Sequence, residues 1–276
     1  MTTRRSSKLI IIVLYKCTLK NSESFKSLLS CRNQLNNLDK IVIWDNSPVA
    51  LDIEEINDLS NLKFSNFTYV STPENLSLAK IYNDVIKSNL SHEFVILFDQ
   101  DTEFRIDLFE QFEIAKSDNP HIALFAPLIR NNGIITSPGD FNYYNGKYWT
   151  SPKYGIIKSK HHIAITSGLI IKISAIELIG YFEERLLLYG IDTNFMIRYS
   201  RYFAEFFVLD VYIRHDMSDF NDENVEVKLR RFKDHKRSCL INAQLFSIDV
   251  RILTKLLFVY KSAFYAIKFR TLAFFS

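Results

Sequence analysis

The sequence predicts an α/β protein built on a mostly parallel central sheet flanked by helices and closed by a basic helical tail. Three observations lead to this. Short Ile/Val-rich runs alternate with segments of helical periodicity through the first half of the chain. The run Phe94–Phe98 holds five apolar residues in a row, as a buried strand does. Basic residues gather at one end. From Lys228 onward eleven Lys/Arg stand against Asp234 and Asp249, and eleven less two leaves nine positive charges; with a net charge of +3 overall, the preceding chain carries six negative.

Taken in order, Lys8–Tyr15 is the first strand, and Phe25, Leu28, Leu29 and Leu35 mark a helix face. Lys40–Trp44 is the second strand and ends at a turn cluster, "DNSP". Phe67–Val70 is the third. After the polar turn "STPENLS", Leu78, Ile81, Tyr82, Val85 and Ile86 fall at helical spacing. Phe94–Phe98 is the fourth strand and runs directly into "DQDT". A helix near Ile106–Ile114 and a strand at Ile122–Ala126 follow. Residues 128–159 hold turn residues and aromatics with no long period, and read as a loop-rich insertion able to line a pocket. Then come a strand-like stretch over 162–173, a short helix from Ser174 to Ile179 stopped by Gly180, a helix from Asp192 to Tyr202, and a strand at Phe206–Ile213 ending near His215. From Val225 the chain reads as helix to its end. No internal repeat is visible.

Composition excludes several classes. With 47% apolar and 24% charged residues and no Gly/Ser- or Pro-rich tract, a long disordered linker is not expected. Cys17, Cys31 and Cys239 are widely spaced and form no C-x-x-C pair, which argues against a disulfide framework or structural zinc site and for a reducing cytosol. The basic N-terminus before an apolar run resembles a signal peptide, but Leu9–Tyr15 is short, a lysine follows it, and no small-residue cleavage site appears. No apolar run approaches the ~20 residues that span a bilayer. An acidic body with a basic end does not suit a nucleic-acid binder.

The chemistry concentrates in "FVILFDQDT". A strand running into Asp-x-Asp places Asp99 and Asp101 at the rim of the sheet, pointing the same way because side chains repeat every two residues. Alone, the pair would repel and one would take up a proton. A divalent cation resolves the conflict, and hard oxygen ligands suit Mg²⁺ or Mn²⁺, which take the rest of their shell from water and substrate phosphates. A solvated turn capping the next helix is the plainer alternative. Haloacid-dehalogenase-type phosphatases share the apolar strand and Asp-x-Asp, but carry a threonine or valine four places after the first Asp, where this chain has Glu103. A nucleotidyltransferase would offer a Gly-rich phosphate loop after the first strand, and none is present.

The blocks "IIIVLY", "IVIWDNSP", "ENLSLAKIYNDVI", "FVILFDQDT", "ITSGLIIKISAIELIGYFEERLLLYGIDTNFMIRY" and "VYIRHD" resemble, in that order and spacing, the family 2 glycosyltransferases of the GT-A fold over roughly residues 8–240. The nearest flavour is the bacterial rhamnosyltransferase-like branch that builds O-antigen and capsule chains. The resemblance implies a nucleotide-sugar-binding half over 1–101, an acceptor-binding half over 102–215 and a helical tail over 216–276. It places Asp45, Asn46 and Ser47 at the donor's base, Asn75 and Asn83 near the nucleotide-sugar, and Asp99 at the ribose, with Tyr15 and Gln100 beside them. Asp101 would bind the Mg²⁺ or Mn²⁺ that bridges the diphosphate, His215 would assist, and Asp192 in "YGIDTNF" would be the general base of an inverting transfer. Partners implied are a dTDP- or UDP-linked donor and a lipid-linked saccharide acceptor.

Departures from the family pattern are Ile191 in place of Glu, Asn194 in place of an acid, Ser77 in place of Gly, and Tyr15, Lys16 and Cys17 after the first strand. They keep open a second hypothesis, a degenerate transferase fold serving as a carbohydrate-binding or scaffolding subunit. Single residues also admit plainer roles: Asp192 as a helix cap, His215 as a structural residue, Asp45 as an Asx-turn, and His161–His162 as a surface pair. The tail combines Lys/Arg with aromatics, as in a helix lying on an anionic membrane surface at the inner face of the plasma membrane; a core helix or a dimer contact is the plainer reading there.

Overall fold

The computed structural model describes residues 6–61, 66–143, 145–215 and 225–275. Strands β1 (Lys8–Leu14), β2 (Lys40–Asp45), β3 (Phe67–Ser71) and β4 (Phe94–Asp99) are separated by helices α1 (Glu23–Ser30), α2 (Ile53–Asn61) and α3 (Leu78–Lys87). They form a parallel array in the order β4-β1-β2-β3. All seven residues of β1 are buried. Leu9, Ile11 and Val13 enter one core, and Ile10, Ile12 and Leu14 enter the core on the opposite face. The unbroken apolar run thus follows from burial on both faces. Lys8, inside this strand, is paired with Asp39 and Glu113, each at 3.3 Å.

The second half continues with β5 (Thr102–Glu103), α4 (Asp107–Asp118), β6 (Leu124–Asn131), β7 (Ile134–Ser137), β8 (Gly139–Asn142), β9 (Asn145–Tyr148), β10 (Gly155–Lys158), β11 (His162–Ile163), β12 (Ile170–Lys172), α5 (Ile173–Ile179), α6 (Ile191–Tyr202) and β13 (Glu205–His215). β12 joins β4 to β6 antiparallel, and β13 lies parallel to β6, so the sheet extends as β10-β13-β6-β12-β4-β1-β2-β3 with most strands running one way. This is the GT-A fold, as expected from sequence. α7 (Val225–Ala243) and α8 (Ile248–Phe269) follow, and a 3-10 turn at Leu272–Phe275 comes last among the described residues.

Several details differ from the sequence reading. The 128–159 segment is strand-rich: β7 pairs with β6, β10 with β13, and β8 with β9 and β11 in a small second sheet. Strands β7 to β11 have four residues or fewer, too few for alternation to emerge. The strand expected at Ile122–Ala126 runs on through Pro127 to Asn131; the ladder to β13 slips between Val208 and Tyr212, a bulge that accommodates a residue lacking an N–H. The strand-like 162–173 stretch is two short strands, with Ile173 already in α5. Leu35 lies beyond α1, after a single 3-10 turn. The single tail helix is two, broken at 244–247, where Ser247 precedes α8 with Asp249 in its first turn, an N-terminal signature. The first tail residues, 216–224, lie outside the described residues.

Candidate active site

Parallel strands end on a common edge. Leu14 stands opposite Asp45 and Val13 opposite Asp99, so the two aspartates leave the sheet on either side of β1. After β4 the chain turns through Gln100 and Asp101, and β5 pairs antiparallel with the end of β13, setting Thr102 opposite His215. That pairing brings a histidine from the far end of the domain to the carboxylates. His215 Nδ1 lies 3.1 Å from Asp101 Oδ1, and Nε2 lies 3.9 Å from Asp99 Oδ2. Ser167 Oγ, 2.5 Å from Thr102 Oγ1, accepts the Asp99 N–H at 3.0 Å and locks the turn to the loop before β12.

The electrostatics answer the question raised by the paired carboxylates. Asp99 is pushed up to about 6, chiefly by burial; His215 opposes this, and the charges of Asp101 and Asp192 add to it. Asp192 therefore belongs to the same field. It sits in the first turn of α6, and its Oδ1 accepts the Thr193 N–H at 2.6 Å. Burial holds its carboxyl above the ordinary value, against the Thr193 hydrogen bonds. The N-cap is Gly190, so Asp192 is not the capping residue.

Tyr82 on α3 was legible only as a core position. It is fully buried, with its hydroxyl beside Thr166 and Asp99. Burial and the charges of Asp99 and Asp192 push its ionisation well up, so this neutral hydroxyl lies in the field of both carboxylates. The one signal in the sequence is a phenol within an otherwise aliphatic helical stripe.

Most of the remaining expected donor contacts are framework groups. Asp45 is fully buried; Oδ1 accepts the Ser47 N–H, and Oδ2 accepts the Tyr69 hydroxyl at 2.7 Å and the Leu51 N–H at 3.1 Å. It closes an Asx-turn, the plainer of its two readings. Asn46 bonds Asn75 Oδ1 and both backbone groups of Leu76, pinning the loop before α3. Ser47 Oγ accepts the Lys16 N–H at 2.7 Å, and Gln100 Oε1 accepts the Tyr15 N–H at 2.7 Å, which ties the end of β1 to its neighbours. Asn83 is buried and bonds Phe182 through both N–H and C=O, with Glu184 also accepting from it. It joins α3 to the loop before α6. Asn75, at φ 48°, and Tyr15 keep exposed side chains at the rim.

The departures have structural reasons. Ser77 caps α3 by accepting the Lys80 N–H. Ile191 is buried in the core. Asn194 donates to Asn242 on α7 at 2.8 Å and accepts from Arg198, while Asn242 also donates to the Gly190 carbonyl. The first tail helix therefore braces the end of α6 that carries Asp192. Gly190 has φ +74°, and a Cβ there would meet Asn242 Nδ2 at 2.9 Å, so only glycine fits.

Among the described residues no three His, Cys, Asp or Glu form a ready-made metal cage. Mg²⁺ and Mn²⁺ do not need one, being held by one or two carboxylates together with substrate phosphates. Asp101 and Asp99 offer hard, anionic oxygens that fit such an ion, with the His215 imidazole beside them.

The fold, with its carboxylates at the strand ends, is of the GT-A class. Residues 10–180 match the glycosyl transferase family 2 profile, more than half of the chain, and the protein belongs to that family. No curated protein sequence matches it. Among solved structures it is similar to GalNAc-T7 with UDP, GalNAc and Mn²⁺ (11% identity, TM-score 0.61, 90% of this chain and 49% of that one). It is also similar to the mannosyltransferase PcManGT from Pyrobaculum calidifontis in complex with GDP-Man and Mn²⁺ (13%, 0.59, 89% and 66%) and to S. aureus TarS 1-349 in complex with UDP-GlcNAc (13%, 0.56, 87% and 66%). The chain spans about half to two thirds of the length of these structures, and the likeness is one of fold.

Proposed function

We propose that the protein is an inverting, metal-dependent glycosyltransferase that moves a sugar, rhamnose or a hexose, from a dTDP- or UDP-linked donor to a hydroxyl of a growing surface polysaccharide on a lipid carrier. The observation that carries this reading is the meeting of Asp99, Asp101 and His215 in one electrostatic field with Asp192. Residues 1–101 serve the donor and 102–215 the acceptor. Asp101, with His215 and Asp99, would hold Mg²⁺ or Mn²⁺, which when bound neutralises the charge of a departing diphosphate. Asp192 takes the acceptor hydroxyl's proton at its carboxylate as the acceptor oxygen bonds to the anomeric carbon and the bond to the diphosphate breaks. One base and no protein nucleophile give inversion. Solved relatives bound to UDP-GlcNAc or to GDP-Man with Mn²⁺ support a nucleotide-sugar donor.

The test is a thermal-shift panel of UDP-, dTDP- and GDP-sugars with and without Mn²⁺. One donor is expected to raise the melting temperature only when Mn²⁺ is present, because a ligand selective for the native state stabilises it. No shift with any donor would sink the proposal. The scaffolding alternative draws on the buried Ile191 in place of an acid; nucleotide binding without turnover on any acceptor would favour it, and slow metal-dependent donor hydrolysis would favour the enzyme.

The tail divides by role. Among the described residues no helix is long and apolar enough to cross a membrane. α8 nevertheless exposes Ile252, Leu253, Leu256, Val259, Tyr260 and Phe264, with Arg251, Lys255 and Lys261 on the same helix. We assign this surface to the anionic inner face of the plasma membrane, consistent with a lipid-linked acceptor. The protein should sediment with vesicles containing anionic lipid, less so at high salt, and Leu256→Glu should release it. Equal partitioning onto purely zwitterionic vesicles would contradict the electrostatic part of the assignment.

A further inference from the structure

We propose that a second cavity, away from the paired carboxylates, is a binding site for one anionic sugar unit. The cavity lies between β8, the turn at 159–162, α6 and the turn between α7 and α8, and encloses about 280 Å³. That is near the lower limit of small-molecule pockets, roughly 300 Å³, and suits a single ring better than a chain. Phe141, Tyr143 and Phe246 give it aromatic faces, with Tyr143 and Phe246 meeting edge to face at 5.2 Å. Aromatic faces take the apolar side of a sugar ring, leaving its hydroxyls to polar neighbours.

Its charge is one-sided. Lys160 and Arg201 supply it, and no carboxylate lines the cavity among the described residues. The nearby Asp140 is already engaged by Trp149 Nε1 at 2.8 Å, His162 at 3.3 Å and Lys153 at 3.5 Å. Arg201 donates to the Leu245 carbonyl, which fixes its guanidinium at the wall. One further group points to a ligand. Ser159 is 1% exposed, lines the cavity, and its hydroxyl has no hydrogen-bond partner among the described residues. Buried polar groups are nearly always satisfied, so this one calls for a partner that the protein itself does not provide.

The cavity shares no residue with the Asp99, Asp101, Asp192 and His215 cluster, yet it uses the same helix. Arg201 is nine residues beyond Asp192 on α6, about 13 Å along the axis at ~1.5 Å per residue. An acceptor chain placing its growing end at Asp192 could rest an earlier carboxylate-bearing unit here. This assignment to the acceptor rests on the glycosyltransferase reading; the binding claim does not.

The experiment is a ligand-observed NMR titration of the full chain with sodium glucuronate, and with glucose and inorganic phosphate for comparison. Glucuronate is expected to bind saturably, with glucose and phosphate each weaker by about tenfold or more. Lys160→Glu, an exposed charge reversal that leaves packing alone, should weaken glucuronate by about tenfold. Arg201→Ala should do the same while loosening the Leu245 contact. Asp192→Asn should leave glucuronate binding unchanged. Absence of saturation, phosphate or glucose binding as tightly as glucuronate, an indifferent Lys160→Glu, or loss of binding in Asp192→Asn would each overturn the proposal. Transfer is not read in this titration, so an inactive transferase and an empty second site give different results.

Discussion

Asp101→Ala is expected to abolish Mn²⁺-dependent donor binding. Asp101 is the more exposed carboxylate of the pair and stands 3.1 Å from His215, where it can hold an ion against a diphosphate. Losing a group that supports a metal outside its coordination shell costs about 10–100-fold in affinity, and losing a direct ligand should cost at least as much. A donor at 100 times its dissociation constant stabilises the native state by about 2.7 kcal/mol, and that shift should vanish in the variant. The melting temperature without donor or metal should not fall, since Asp101 raises the Asp99 pKa and its removal relieves repulsion. A variant that keeps the full metal-dependent shift would refute the metal role. One that melts early without ligand would point to damaged folding.

Asp192→Asn is expected to leave donor binding intact while transfer collapses by about 10²–10⁴-fold, the usual contribution of a positioned general base. Parallel loss of binding and transfer would indicate misfolding. Burial holds the Asp192 carboxyl above its ordinary value of 3.8, so the acid limb of kcat/KM should lie above that value and disappear in the variant. The stability sign runs the other way. A carboxyl whose folded pKa is raised contributes stability below its ordinary value and loses it as pH rises through the folded value. Asp192→Asn should therefore melt no lower than the wild type at pH 8, and any advantage should shrink toward pH 4.

The parallel half of the sheet was legible because its central strands carry unbroken apolar runs, Leu9–Leu14, Ile41–Trp44 and Phe94–Phe98, which stop where the strand leaves the core. That placed Asp45 and Asp99 on one edge without reference to any distant residue. The short strands between 128 and 159 were not legible, since four residues paired at a sheet margin carry no usable period. The division of the tail was missed although Ser247 and Asp249 mark a helix start, because the aromatic and basic pattern continues on both sides of the break.

What the amino-acid sequence determined by itself is the order of the elements, the burial of the central strands and the presence of two carboxylates at a strand end. All of these depend on local patterns of a few residues. Tertiary structure alone decided how the polar groups are partnered: Asp45 turned inward to Tyr69, Asn194 bonded to Asn242, His215 delivered to Asp101 by the pairing of β5 with β13. A side chain's spacing gives its place along the backbone, but its partners come from segments far away in the chain, and the orientation follows from those partners.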